Sequence, residues 1–262
     1  MDICFACYWG RVNDDVFETF ANTFIKHSKA LLQVNTDDRP HDLSRDYAIR
    51  WKSVPKDQVR GRRALCKIEE LQSLVNCLRS GDRLIIADVD LYFLDDPFKA
   101  FDEDFDFAVT TRCHEYRYPV NGGVFFIRIS EKTRKFVKFY LEQCKEPSWP
   151  PLLSFRKSVR HYSYNPDWEI GQDFLCAAWI DRDNLDIKLV DVGPEYNYCP
   201  NTDVYGITKA NEMIENAYKY KLAKVLHLKS ELKLNIYNEF MEDAITKRCN
   251  GKWNWYESNA AV

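Results

Sequence analysis

The chain has 262 residues, 45% of them hydrophobic, which is material for one large α/β domain with a substantial core and excludes disorder as the default state. Its 37 Lys and Arg against 40 Asp and Glu leave a formal net charge of −3, so no global field draws the whole molecule onto nucleic acid or an anionic membrane. No stretch approaches the ~18 apolar residues of a membrane span, and Met1 to Ala6 lacks the basic region and apolar run of a signal peptide; a soluble, cytoplasmic protein is expected.

In chain order, residues 2 to 8 predict a short buried strand, and apolar positions 16, 17, 20, 21, 24 and 25 repeat with a helical period between Val16 and Leu32. Leu31 to Val34 predicts a second strand. Apolar positions 65, 68, 71, 74, 75 and 78 predict an amphipathic helix from Arg62 to Arg79, stopped by Ser80-Gly81. Arg83 to Asp88 reads as a fully buried strand, Phe105 to Thr110 and Gly123 to Ile129 as further strands, and Glu131 to Cys144 and Ile170 to Ile180 as helices. This alternation predicts an α/β sheet flanked by helices. Residues 147 to 166 are rich in Pro, Ser, Tyr and Arg, lack clear periodicity, and predict an insertion loop on the acceptor side of any active site. Its basic and aromatic residues, among them Arg156, Lys157, Arg160, His161, Tyr162 and Tyr164, suit a glycan, a protein or a nucleic acid alike.

Nine cysteines, at 4, 7, 66, 77, 113, 144, 176, 199 and 249, have no metal-type spacing and several fall inside apolar patterns. They predict free thiols in a reducing compartment. Cys4 and Cys7 form a C-x-x-C, but with no second pair and no redox helix after it the structural reading is preferred.

Asp-x-Asp occurs at 88/90, 102/104, 104/106 and 181/183, and only Asp88-Val89-Asp90 directly follows an apolar strand. Residues two apart in extended chain project to one side, so both carboxylates are expected to reach one ion at the carboxyl edge of the sheet. Oxygen ligands suit Mn²⁺ or Mg²⁺, which keep positions open for phosphate oxygens. Two alternatives stand beside this. The aspartates simply shape the turn before Asp95-Asp96-Pro97-Phe98, or Asp88 is the nucleophile of a haloacid-dehalogenase-type phosphatase, although the motif lies far from the chain start and continues Leu91-Tyr92-Phe93-Leu94.

With its neighbours, this motif resembles the GT-A-fold, nucleotide-sugar-dependent glycosyltransferases, particularly the glycogenin-like retaining group. Four blocks follow the family's order: RLIIADVDLYFLDDPF from Arg83, NGGVFFIRI from Asn121, Gly171-Gln172-Asp173-Phe174-Leu175, and the stretch from Val225 to Lys233 with His227 and Lys233. Ser230 stands where the family has Gly, and Gly171 where it has an acid before the Gln.

The resemblance implies a GT-A (Rossmann-like) mixed sheet flanked by helices in a single domain spanning residues 1 to 262. It implies transfer of a sugar from a nucleoside-diphosphate sugar, a UDP-sugar first, to a glycan, protein or other hydroxyl acceptor, with retention of configuration. Taken alone, His227 after an apolar run is a core histidine; the resemblance makes it the third metal ligand beside Asp88 and Asp90. Lys233 is then expected on the β-phosphate beside Ser230, with Arg63 and Lys67 as further cations one helical turn apart. Asn121, Gly122 and Gly123 are expected at the donor sugar, Tyr8, Trp9 and Arg11 around base and ribose, and Val89, between the two metal ligands, as a further donor contact. Asn121, Gln172 and Asp173 are the catalytic candidates; with inversion, Asp173, Glu169 or Asp167 would have to take the acceptor proton. A nucleotide-sugar-binding module without catalysis carries the same motifs.

Overall fold

The computed structural model describes residues 1–9, 14–37, 49–112, 118–159, 169–200 and 202–228. Strands β1 (Asp2–Tyr8), β2 (Leu31–Thr36), β3 (Ile49–Ser53) and β4 (Arg83–Ala87) pair in parallel. A short pair follows outside the main sheet, β5 (Leu91–Phe93) antiparallel to β9 (Val225–His227). With β6 (Phe107–Val109), β7 (Val124–Arg128) and β8 (Leu189–Asp191) the main sheet has seven strands in the order β3-β2-β1-β4-β7-β6-β8, and β7 runs antiparallel to both its neighbours.

The sheet is buried on both faces, which is why its strands read as unbroken apolar runs. Ile3, Phe5, Leu84, Ile86, Phe125 and Ile127 point into one core; Cys4, Ala6, Ile85, Ala87, Val124 and Phe126 point into the other. Helix α1 (Asp14–His27) covers the second core with Phe17, Phe20 and Phe24, and a short α2 (Lys56–Val59) precedes the longer helix that follows it. That helix, α3 (Arg63–Cys77), and α4 (Glu131–Lys145) cover the first core with Ile68, Leu71, Val75, Phe136, Val137 and Tyr140. Ser130 and Thr133 form a capping box at the start of α4, pairing donors that would otherwise be orphaned.

Within residues 147 to 166, Pro150–Val159 forms helix α5 in place of the expected irregular loop. Its two leading prolines sit where a helix needs no donor, and Leu152, Phe155 and Val159 supply a buried stripe too short to stand out from the surrounding polar residues. Residues 160–166 lie outside the described residues. Helix α6 (Gln172–Ile180) packs beside α4, with Phe174 stacked on Tyr140 at 4.5 Å between ring centres and ringed by Phe136, Phe139 and Trp149. Helix α7 (Thr202–Lys219) is interrupted at Gly206, whose φ is 71°. Among the described residues no helix is long and apolar enough to cross a membrane.

Candidate active site

Asp88 follows β4 directly, and its amide donates to Gly123 O at 2.8 Å, so the β4–β7 register sets Asp88 beside the Gly122-Gly123 turn. Val89 and Asp90 lie in a turn between β4 and β5 rather than in the extended chain expected. The carboxylates nevertheless converge, because β5 re-enters a ladder at once: Leu91 pairs with His227, and Leu228 N donates to Asp90 O at 3.1 Å. A histidine 137 residues further on is thereby delivered to Asp90, its Nε2 lying 3.2 Å from Asp90 Oδ1. One ligand atom from each of Asp88, Asp90 and His227 lies within 4.8 Å of the others. Two carboxylates and an imidazole at this spacing fit Mn²⁺ or Mg²⁺ with positions left open.

The surroundings are adapted to that cluster. The imidazole is fully buried against the backbone of Gly123, where a Cβ would fall on the ring, and its Nδ1 is 2.9 Å from Asn197 Oδ1. Lys67 Nζ donates to Asp88 Oδ1 at 2.6 Å. Burial alone would lower the Lys67 pKa, but attraction and hydrogen bonding to Asp88, with help from Cys7 and Asp90, outweigh it and hold the ammonium charged.

Asp88 and Asp90 form part of the wall of a cavity of about 560 Å³ between β1, α3 and α6, with the buried His227 ring behind them. Of the residues expected from the sequence, Trp9, Arg63, Lys67, Asp88, Val89, Asp90, Gly122 and Gln172 line it. Asn121 is buried next to it, with Oδ1 accepting from Gly123 N at 3.2 Å. The side-chain nitrogens of Asn121 and Gln172 are buried with no hydrogen-bond partner among the described residues, which leaves two amide donors open on either side of Gly122.

Other expected residues stand elsewhere. Tyr8 is in the second core, stacked on Phe17 at 4.7 Å, and does not line the cavity. Asp173 is fully buried, pairs with Arg156 Nε at 2.6 Å, and accepts from Gly171 N and Phe174 N, so it braces the start of α6. Glu169 is also fully buried. Arg11, Asp167, Ser230 and Lys233 lie outside the described residues.

The glycine in place of an acid before Gln172 has a steric cause. Gly171 has φ 96°, and a Cβ there would meet Tyr140 Oη at 2.5 Å and Ile68 Cδ1 at 2.8 Å. Asn197, which contacts His227 from behind, and Thr110, which in turn holds Asn197, carried no sequence signal, since neither sits in a motif and their proximity is a product of the fold.

Residues 64–152 match the family model described as nucleotide-diphospho-sugar transferase. The chain is similar to the crystal structure of the glycosyltransferase GlyE of Streptococcus pneumoniae TIGR4, with 14% identity and a TM-score of 0.55 over 98% of this chain and 64% of that one, so it spans somewhat less than two thirds of that protein's length. It is also similar to the galactosyltransferase LgtC, solved in complex with donor and acceptor sugar analogs, with 13% identity and a TM-score of 0.55 over 97% of this chain and 100% of that one. A search of curated proteins found no match. The mixed seven-stranded sheet with its flanking helices is the GT-A glycosyltransferase fold, and residues 64–152 within it match the nucleotide-diphospho-sugar transferase family.

Proposed function

We propose that the protein transfers a sugar from a nucleoside-diphosphate sugar to an acceptor hydroxyl, with a divalent cation held by Asp88, Asp90 and His227. The observation that carries this is the convergence of those three side chains, of which Asp88 and Asp90 line a cavity also lined by Lys67, Arg63 and Gln172. The cation, Mn²⁺ or Mg²⁺, would supply positive charge against the diphosphate leaving group. Lys67 adds a charged ammonium beside Asp88, and Arg63 a guanidinium one helical turn away on the same cavity wall. The amide groups of Asn121 and Gln172 would donate to sugar hydroxyls, and Gly122 leaves room beside Gln172 for close approach. A UDP-sugar is the first donor to test, with Trp9 bordering the nucleoside end.

Retention of configuration, as in the glycogenin-like group, is favoured over inversion by the position of Asp173. Its oxygens are engaged by Arg156 and backbone amides away from the cavity, a setting for positioning α6 rather than for taking a proton from an acceptor. The test is incubation with a panel of nucleotide sugars and Mn²⁺, scored for free nucleoside diphosphate and repeated with EDTA. Metal-dependent release from one donor is expected. No release from any donor, together with no binding of UDP, overturns the proposal; orthophosphate released from a phosphomonoester would favour the phosphatase alternative.

A further inference from the structure

Asn197 lies in a 3-10 turn, Pro194–Asn197, after β8, nearly fully buried and away from the cavity lining. Its carboxamide makes three contacts: Nδ2 to Thr110 Oγ1 at 2.8 Å, Nδ2 to the backbone oxygen of Asn121 at 3.1 Å, and Oδ1 to His227 Nδ1 at 2.9 Å. The middle contact decides the orientation of the other two. A backbone carbonyl only accepts, so the amide atom facing Asn121 O must be the NH₂ group. The atom facing His227 is therefore the carbonyl oxygen, which also only accepts, and the hydrogen between Oδ1 and Nδ1 must belong to the imidazole.

We propose that Asn197 is a positioning residue that holds the proton of His227 on Nδ1 and so reserves Nε2, the nitrogen facing Asp90, for the cation. The assignment rests on the metal role of His227 proposed above. The ring has little freedom to evade it. Gly123 presses on one side, and the β5–β9 ladder fixes the backbone. An outer partner of this kind sets both tautomer and orientation of a ligating imidazole, and its loss typically costs about 10- to 100-fold in metal affinity. The same carbonyl of Asn121 that orients Asn197 belongs to a residue whose unpartnered side-chain amide is proposed above to meet the donor sugar, so one residue would link the two halves of the site.

The test uses full-length protein labelled with ¹⁵N-histidine, the His227 signals being assigned by their loss in His227→Gln. At a pH that leaves the ring neutral, wild type is expected to show a protonated Nδ1 and a bare Nε2. Asn197→Leu should give a tautomer mixture and bind Mn²⁺ alone, by titration calorimetry, about 10- to 100-fold more weakly. Asn197→Asp, which keeps an acceptor but loses the amide donors, should lower the melting temperature yet preserve the Nδ1–H form and stay within about 10-fold of wild-type affinity. That split separates positioning from mere structural support. A bare Nδ1 in wild type overturns the proposal, as does Asn197→Leu with an unchanged pattern and unchanged affinity. Failure of wild type to bind Mn²⁺ despite an intact Nδ1–H pattern would overturn the metal reading of the site and the positioning role with it.

Discussion

Asp88 and Asp90 stand close enough to share an ion, and like charges at that distance repel when none is bound. Asp90→Asn should therefore fold with undiminished thermal stability while losing Mn²⁺-dependent UDP affinity by more than about 100-fold, beyond what the loss of an outer partner costs. Asp88→Asn should lose the same affinity, but with a lower melting temperature, because it also strands the partly buried ammonium of Lys67. Calorimetric titration with UDP and Mn²⁺, beside a melting curve, separates the two. Gly123→Ala is the steric counterpart. The added methyl must displace the His227 ring, which should cost about 1–3 kcal/mol of stability and reduce Mn²⁺ binding, read by urea unfolding and the same titration. None of these effects depends on an unusual residue type, only on what each side chain faces.

The element that departs most from expectation is α5. An acceptor-side loop over residues 147 to 166 would invite trimming to test acceptor recognition, but the structure attaches its Pro150–Val159 stretch to the core through Leu152, Phe155 and Val159 and to α6 through Arg156 and Asp173. Deleting it would confound acceptor loss with unfolding. Leu152→Ala should destabilise by about 2–5 kcal/mol, the range for a fully buried leucine. Arg156→Ala should cost about 3–5 kcal/mol by removing the guanidinium that pairs with the fully buried Asp173, and should loosen Gln172 at the start of α6. Urea unfolding measures both. Equal stability of Arg156→Ala and wild type would show that the ion pair does not anchor α6. A surface change on α5, such as Lys157→Glu, tests acceptor recognition more cleanly.

Across the whole molecule the thiols report how tightly the sheet and helices close. Cys4 and Cys7, three apart on β1, point to opposite faces, so their C-x-x-C is a product of strand geometry, and the seven cysteines among the described residues are all free. Burial pushes the Cys66 thiol up to about 11 and that of Cys176 up to about 12, since a thiolate there would lose its hydration. Alkylation at neutral pH is expected to modify the exposed Cys77 rapidly and Cys66 and Cys176 only as the protein unfolds, which peptide-level mass spectrometry after brief iodoacetamide treatment resolves. Rapid labelling of Cys176 in the native state would mean that α6 opens readily. What the sequence by itself determined is local in origin. The apolar runs of β1, β4 and β7, the period of α3 and α4, and the Asp-x-Asp directly after β4 follow from nearest-neighbour patterning, and they carried the fold class and the two carboxylates of the cavity wall. The tertiary structure decided what patterning does not encode: that Tyr8 packs on Phe17, that Asp173 is held by Arg156, and that Gly171 is required by Tyr140 and Ile68. It also decided that Asn197 orients His227, because hydrogen-bond partners from separate strands and turns are chosen by the register and packing that bring them together, not by their spacing along the chain.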